Sequence, residues 1–248
     1  MLFIIKCLLA GGIAGFLCGL LGIGGGSIIV PVLFFFFSVP IKNAIATSLM
    51  VVLISAISGF LVHLKGKNTD FKLAFYLIIS GVIGAYIGAY LTGILPEMIV
   101  KGFFMVLLIG LGLKLLFQKE NEKEDNKEYS LDILKTLSIG FISGIVSGLC
   151  GVGGAVLLVP LSYIILKVPI KICVGTSLIV VFFNALSGVF AYAKMGFIDY
   201  RIGLTFGIVG IITSPIGAKV SILTPREKLR KIFAIFLILM PILLLLRK

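Results

Sequence analysis

The chain has 248 residues, of which 60% are hydrophobic and 13% are charged, about half the charged share of a soluble domain. Its apolar runs are long enough to cross about 30 Å of hydrocarbon, which excludes a soluble fold, and they lack the alternation of barrel strands. The net charge of +12 is assigned to short loops that fix membrane orientation, so no nucleic-acid partner is predicted. These features predict an all-α integral membrane protein, a polytopic helical bundle in the cell membrane.

The first apolar stretch, residues 7–38, is interrupted by the phrase GLLGIGGGSIIVP (Gly19–Pro31). As one helix this stretch would measure roughly 48 Å at about 1.5 Å per residue, which is too long for a single crossing without steep tilt. The piece after the glycines is too short to cross. We therefore predict a broken or re-entrant helix hairpin, followed by spanning helices at about 43–63, 73–94 and 98–117.

The second half of the chain repeats the first. A shift of 129 residues places Thr47 on Thr176 and Pro31 on Pro160, and it aligns the two copies of VPIK and of TSL without a gap. A register held over this length indicates duplication.

The duplication divides the chain into membrane repeat 1 (1–117), a charged linker (118–131) and membrane repeat 2 (132–248). In repeat 2 we predict a broken stretch at 133–166 and helices at about 172–193, 201–222 and 229–246. If each broken stretch returns to its starting side, the repeats have inverted topology, and most of the 22 Lys and Arg residues share one face. The positive-inside rule favours this arrangement over parallel repeats and places the linker in the cytoplasm.

Each glycine phrase predicts an anion site. A helix break frees backbone N–H groups, and the start of the next half-helix carries partial positive charge that binds anions without a charged side chain. Tight helix packing is the alternative explanation of the glycines. A nucleotide loop is excluded because no GK[ST] follows. The candidate substrate-binding residues at the breaks are Gly22, Gly24, Gly25, Gly26 and Ser27 in repeat 1 and Gly151, Gly153 and Gly154 in repeat 2.

Polar residues in the helices after the breaks are further candidates. Thr47 and Ser48 in repeat 1, and Thr176 and Ser177 in repeat 2, either cap and pack helices or contact the substrate. Asn184 is the one amide within a predicted span. Because a buried amide needs partners, it is expected to line the cavity or to bridge helices.

Acidic residues are absent from the predicted spans, and this favours an anion as the substrate. No metal site, cofactor or catalytic constellation is predicted, so the chain is not expected to be an enzyme. Asp70 and Asp199 are expected in loop ion pairs or at helix starts. His63, the only histidine, matches Tyr192 in the repeat and is expected at the membrane interface.

In two motifs the chain resembles the TauE/SafE sulfite exporter family. GLLGIGGGSIIVPVL is followed by ATSL, and GLCGVGGAVLLVPL is followed by GTSL. KMGFIDYRIGL, which begins at Lys194, is similar to that family's loop after the second helix of a repeat. The resemblance covers nearly the whole chain, although the first half departs from the pattern at HLKGKNTDFKL. It implies a permease that exports sulfite, organosulfonates or related sulfur-containing anions.

The leading hypothesis is therefore a secondary transporter that holds a small anion at the glycine-rich breaks between the repeats. An anion channel and a non-transporting membrane scaffold are the alternatives. The predicted partners are the small anionic substrate and the lipid bilayer, and a homo-oligomer is left open.

Overall fold

The computed structural model describes residues 2–21, 25–117 and 131–225, with short pieces between 227 and 239. All regular elements in this part of the chain are α-helices. They are α1 (Leu2–Leu21), α2 (Gly26–Phe36), α3 (Ile41–Lys65), α4 (Phe71–Ile94), α5 (Glu97–Phe117), α6 (Ile133–Cys150), α7 (Ala155–Ile165), α8 (Ile170–Met195) and α9 (Tyr200–Leu223). Nearly all of the predicted linker and most of the predicted helix 229–246 lie outside the described residues.

Five of the described helices, α3, α4, α6, α8 and α9, are long and apolar enough to cross a membrane. The prediction of a polytopic helical membrane protein is confirmed. The helix starts follow from local chemistry. α3 and α8 begin after Pro40 and Pro169, which lack an N–H group. α4 and α9 begin after Asp70 and Asp199, whose carboxylates accept hydrogen bonds from first-turn N–H groups.

Each long apolar stretch is divided into two helices. α1 ends at Leu21 and α2 begins at Gly26, while α6 ends at Cys150 and α7 begins at Ala155. Pro160 lies inside α7, so it does not start this half-helix. α2 and α7 have 11 residues each. At about 1.5 Å per residue, each is about 16 Å long and covers roughly half of the hydrocarbon thickness.

The two halves of the chain interlock. The most extensive contacts join α4 to α6 and α1 to α9, and these two pairs are equivalent under the repeat. Small residues bring the backbones together. Gly144 of α6 lies against the carbonyl of Gly81, and Gly15 of α1 lies against Gly210. Since each half supplies one helix to both pairs, the halves share a single apolar core.

The equivalent helices α3 and α8 run antiparallel. Leu49, near the start of α3, lies against Gly188, near the end of α8. Leu178, near the start of α8, lies against Gly59, near the end of α3. The same segment of the two repeats therefore begins at opposite ends of the bundle.

Helix directions also define the path between α1 and α3. Both helices run in the same direction as α9, so α2 brings the chain back towards the end at which α1 began, and α1 and α2 form a hairpin. α1 contacts α9 through Gly11 with Phe206 and Gly19 with Ser214, and α3 contacts α9 through Met50 with Gly203 and Ile54 with Gly207. In both pairs of helices the residue numbers rise together, so the helices are parallel.

Candidate functional site

Both half-helices begin at a glycine that no other residue replaces without strain. The N-cap residues Gly25 and Gly154 have φ angles of 73° and 81°, in the left-handed region that disfavours side chains. A Cβ atom at Gly25 would collide with the carbonyl oxygen of Ala14, and one at Gly154 would collide with that of Ser143. The two collisions are equivalent under the repeat, so both breaks have the same backbone geometry at this point.

The two breaks meet inside the bundle. Gly26, the first residue of α2, lies against the carbonyl oxygen of Gly151 and the Cα atom of Val152. A Cβ atom at Gly153 would lie 2.8 Å from a methyl group of Val181 and 2.9 Å from one of Val52. These valines occupy equivalent positions near the midpoints of α8 and α3. The breaks therefore meet close to the axis that relates the repeats.

The second break is described in full, whereas part of the first is not. Gly22, Gly24 and the side chain of Ser27 lie outside the described part of the chain. In the second break, Gly151 and Gly153 both have positive φ angles, 71° and 75°. Glycine is therefore also required at these two positions.

The N-cap residues of α2 and α7 are glycines, which have no side chain to accept the first-turn N–H groups. Ile29 N–H donates to Gly25 O at 3.2 Å and Leu158 N–H donates to Gly154 O at 3.0 Å, which begins the regular helical bonding. Leu157 N–H also donates to Gly154 O, at 3.1 Å. The N–H groups before it, and those before Ile29, belong to the first turn, whose donors lack regular i−4 acceptors in any helix. Because the N-cap residues are Gly25 and Gly154, no N-cap side chain accepts these donors. Two positive helix ends therefore converge at the breaks.

Thr47 and Thr176 join the two repeats. Thr47 Oγ1 accepts a hydrogen bond from Asp199 N–H, and Thr176 Oγ1 accepts one from Asp70 N–H, each at 2.9 Å. Each hydroxyl thus fixes the start of a helix in the other half. In this conformation, the arrangement favours the packing role over substrate contact for both threonines. Asp70 and Asp199 lie at helix starts, one of the two placements expected for them.

The neighbouring serines hold the backbone near the breaks. Ser48 Oγ lies 2.9 Å from Ile45 O and 2.5 Å from Gly151 O, so this side chain connects α3 directly to the second break. Ser177 Oγ donates to Val174 O at 2.8 Å. The protein encloses five of the candidate side chains, which are 0% exposed: Thr47, Ser48, Thr176, Ser177 and Asn184.

Asn184 is a polar group without a described partner. Its Oδ1 and Nδ2 atoms are both buried and have no hydrogen-bond partner in the described part of the protein. The amide packs against Gly81 of α4, where a Cβ atom would lie 2.5 Å from Oδ1. Its repeat equivalent, Ser55, donates to Val51 O at 2.8 Å. The two repeats therefore differ in polar chemistry at this position.

Ser147 was not among the predicted site residues. Its Oγ is 0% exposed and has no hydrogen-bond partner among the described residues. Its Cβ atom lies 3.2 Å from the position of a Cβ at Gly154, so the hydroxyl-bearing carbon is beside the start of α7. The repeat places Ser147 opposite Cys18. The residue just before the glycine phrase is thus a cysteine in repeat 1 and a serine in repeat 2, and this difference is the one sequence signal that marks the position.

The repeated lysine of VPIK also has a role that was not predicted. Lys42 Nζ donates to Gly93 O and Lys171 Nζ donates to Ile222 O, each at 2.8 Å. Both carbonyls belong to the last turn of a helix, α4 or α9, where a cation is favourable. The doubled lysine therefore stabilises helix ends.

The expectation that His63 faces the membrane interface is wrong. The side chain is 1% exposed and is enclosed by the protein, with Nε2 lying 3.3 Å from Gly19 O. The equivalent Tyr192 donates its hydroxyl to Gly148 O at 2.6 Å. The backbone carbonyls of Gly19 in α1 and Gly148 in α6 thus give each buried ring a polar contact at this position in both repeats.

Comparisons with known proteins agree with this architecture. The family model of the sulfite exporter TauE/SafE matches residues 7–244. A probable membrane transporter protein of Methanocaldococcus jannaschii is 29% identical over 229 residues, which cover 86% of this chain and 85% of that protein. One from Haemophilus influenzae is 29% identical over 260 residues, or 97% of each chain. One from Bacillus subtilis, YunE, is 30% identical and covers 82% of this chain and 83% of its own length.

No solved structure gives a significant match. The relatives are named as membrane transporters rather than enzymes, and the helices of this chain are those of a multi-pass membrane protein. The protein is therefore a membrane transporter with a small-molecule substrate, and it belongs to the TauE/SafE sulfite exporter family.

Proposed function

We propose that this transporter exports small sulfur-containing oxyanions, such as sulfite or organosulfonates, and that it holds them where the two breaks meet. The observation that carries the proposal is the contact of Gly26 with Gly151 and Val152, which brings together the two uncapped helix starts. Each start contributes about half a positive charge. Backbone donors at such starts can bind an anion without any charged side chain.

The distribution of acids supports an anion as the substrate. The described aspartates, Asp70, Asp132 and Asp199, all cap helices outside the breaks. A carboxylate at the breaks would bind the free N–H groups itself and would repel an anion. Glycine leaves these donors available and lets an oxyanion approach the backbone closely.

The antiparallel course of α3 and α8 supports inverted repeats, with the substrate held between them. Because the described candidate side chains are buried, the structure corresponds to a closed state of the proposed cycle. Opening then requires one hairpin, α1–α2 or α6–α7, to move away from the other. Export of an anion from a negative-inside cell gains about 2.3 kcal/mol per charge per 100 mV.

Flux through the purified protein in liposomes tests this proposal. Vesicles are loaded with sulfite, thiosulfate, 2-hydroxyethanesulfonate or sulfate, a membrane potential that favours efflux is imposed, and release is followed over time. We expect saturable, potential-dependent efflux of sulfite or a sulfonate. Efflux no faster than from protein-free vesicles for every anion would overturn the proposal, and single-channel currents would assign the same lining to a channel.

A further inference from the structure

The second break is flanked by two buried polar side chains that form no hydrogen bond with any described residue. Ser147 of α6 lies directly beside Gly154 at the start of α7. Asn184 of α8 lies one helical turn beyond Val181, which contacts Gly153. Neither the Ser147 hydroxyl nor the Asn184 amide has a hydrogen-bond partner in the described chain. Buried polar groups are normally paired, because an unpaired one costs about 1–3 kcal/mol.

The equivalent groups in repeat 1 differ. Asn184 corresponds to Ser55, whose hydroxyl already donates to Val51 O, and Ser147 corresponds to Cys18, a buried thiol. A thiol is a weaker donor than a hydroxyl. At these two positions, therefore, only repeat 2 has a hydroxyl or amide donor without a partner among the described residues.

We propose that Ser147 and Asn184 recognise the substrate, which lies closer to the start of α7 than to that of α2. This inference rests on the proposed function and adds the chemical class of the substrate. The Ser147 hydroxyl and the Asn184 Nδ2 donate to oxyanion oxygens. The Asn184 Oδ1 accepts, so the preferred substrate carries a hydrogen-bond donor beside its oxyanion. Hydrogen sulfite and hydroxyalkyl sulfonates share this chemistry, whereas sulfate and simple alkyl sulfonates lack it.

A pair of sulfonates that differ by one hydroxyl group tests the acceptor. Efflux of ethanesulfonate and of 2-hydroxyethanesulfonate is measured with the full chain in liposomes. Sulfite efflux is measured in parallel, because hydrogen sulfite and hydroxyalkyl sulfonates are the two kinds of substrate that carry a hydrogen-bond donor. The intact protein should transport the hydroxylated sulfonate with a kcat/KM about tenfold higher. Asn184→Ser, which introduces the residue of repeat 1, should remove this preference.

Substitution of Ser147 tests the donor. Ser147→Ala should raise KM for both sulfonates and for sulfite about tenfold, because it removes a hydrogen bond to a charged group. The matched controls are Ser143→Ala and Ser55→Ala. These hydroxyls already donate to Gly140 O and Val51 O, so KM should change less than twofold.

Thermal unfolding in detergent separates recognition from a structural role. Replacing an unsatisfied buried hydroxyl by Ala should not lower Tm. Unchanged KM values and an unchanged sulfonate preference in the variants, with normal flux through the intact protein, would overturn this inference and leave the proposed function standing. A lower Tm with unchanged KM would also overturn it. Absence of anion flux through the intact protein would instead remove the proposed function itself.

Discussion

Helix starts in two regions of this transporter are built in opposite ways. At the ends of the bundle, α4, α6 and α9 begin with Asp70, Asp132 and Asp199, and each carboxylate accepts first-turn N–H groups. In its middle, α2 and α7 begin with Gly25 and Gly154 and have no side-chain cap. The outer starts carry their own anion, whereas the N-cap residues of the inner starts carry no side chain.

The difference has an electrostatic consequence. At Asp132 the hydrogen bond from the Lys135 side chain lowers the pKa of the carboxyl group, so this cap is ionised at neutral pH and neutralises the positive end of α6. Nothing comparable is attached to the described starts of α2 and α7. The starts of α2 and α7 therefore lie in the interior without a carboxylate cap, where water screens charges least.

The largest effect on efflux and stability is expected from adding side chains at the starts of α2 and α7. We expect Gly25→Ala with Gly154→Ala to abolish efflux and to lower the free energy of unfolding, by about 1–2 kcal/mol per site from the left-handed backbone alone. Efflux and unfolding in detergent are measured together. Gly110→Ala in α5 is the matched control, since a Cβ there meets no atom within 4 Å. Normal efflux in the double variant would show that the close approach at the breaks is not needed for transport.

A carboxylate at an inner start should make it resemble an outer one. Val156→Asp places the acid in the first turn of α7, where it competes with the substrate for the free N–H groups, and we expect efflux to fall to the level of protein-free vesicles. Val156→Ser is the control, because repeat 1 has Ser27 at the equivalent position. It should retain most of the flux. If the two variants transport equally well, the inner starts do not bind the anion.

The threonines that connect the halves should affect stability rather than recognition. Thr47→Val leaves Asp199 N–H without its acceptor, which should cost about 1–3 kcal/mol in unfolding free energy, and Thr176→Val should do the same at Asp70. Denaturant titration in detergent measures this loss. The corresponding Ser variants keep the acceptor and should recover most of it. A raised KM with unchanged stability would assign these hydroxyls to the substrate instead.

The smallest effect is expected at the outer caps. Asp199→Ala removes the acceptor for Ile202 N–H and should cost about 1 kcal/mol, without changing KM for any anion. Asp199→Asn keeps a capping oxygen and should cost less. Thermal unfolding and efflux are compared for both variants. A change in KM would mean that outer and inner starts do not have the separate roles described above.

Much of the fold was predictable because hydrophobic length and glycine-rich breaks are local properties. The predicted spans 43–63 and 172–193 lie within α3 and α8, and both broken stretches are divided at their glycines. The repeat register also identified positions that make equivalent contacts, such as those of Lys42 and Lys171. The linker and the division into domains stay predictions.

The candidate site was less predictable because its contacts cross between the halves. Thr47 was recognised as a candidate, but its partner Asp199 lies 152 positions away in the chain. Ser147 was not recognised, because a serine that bonds its own helix and one that lacks a partner have the same sequence pattern. His63 was placed at the interface because its position near the end of a helix does not reveal that neighbouring helices bury it.

The sequence by itself determined that the chain is a duplicated membrane protein with two interrupted helices and no acid within its predicted spans. These properties follow from composition and spacing along the chain. Only the tertiary structure decided that Gly26 meets Gly151 and that Asn184 has no hydrogen-bond partner among the described residues. Such facts depend on which helix faces of the two halves pack together, and they arise only when segments more than 100 residues apart bury their surfaces against each other.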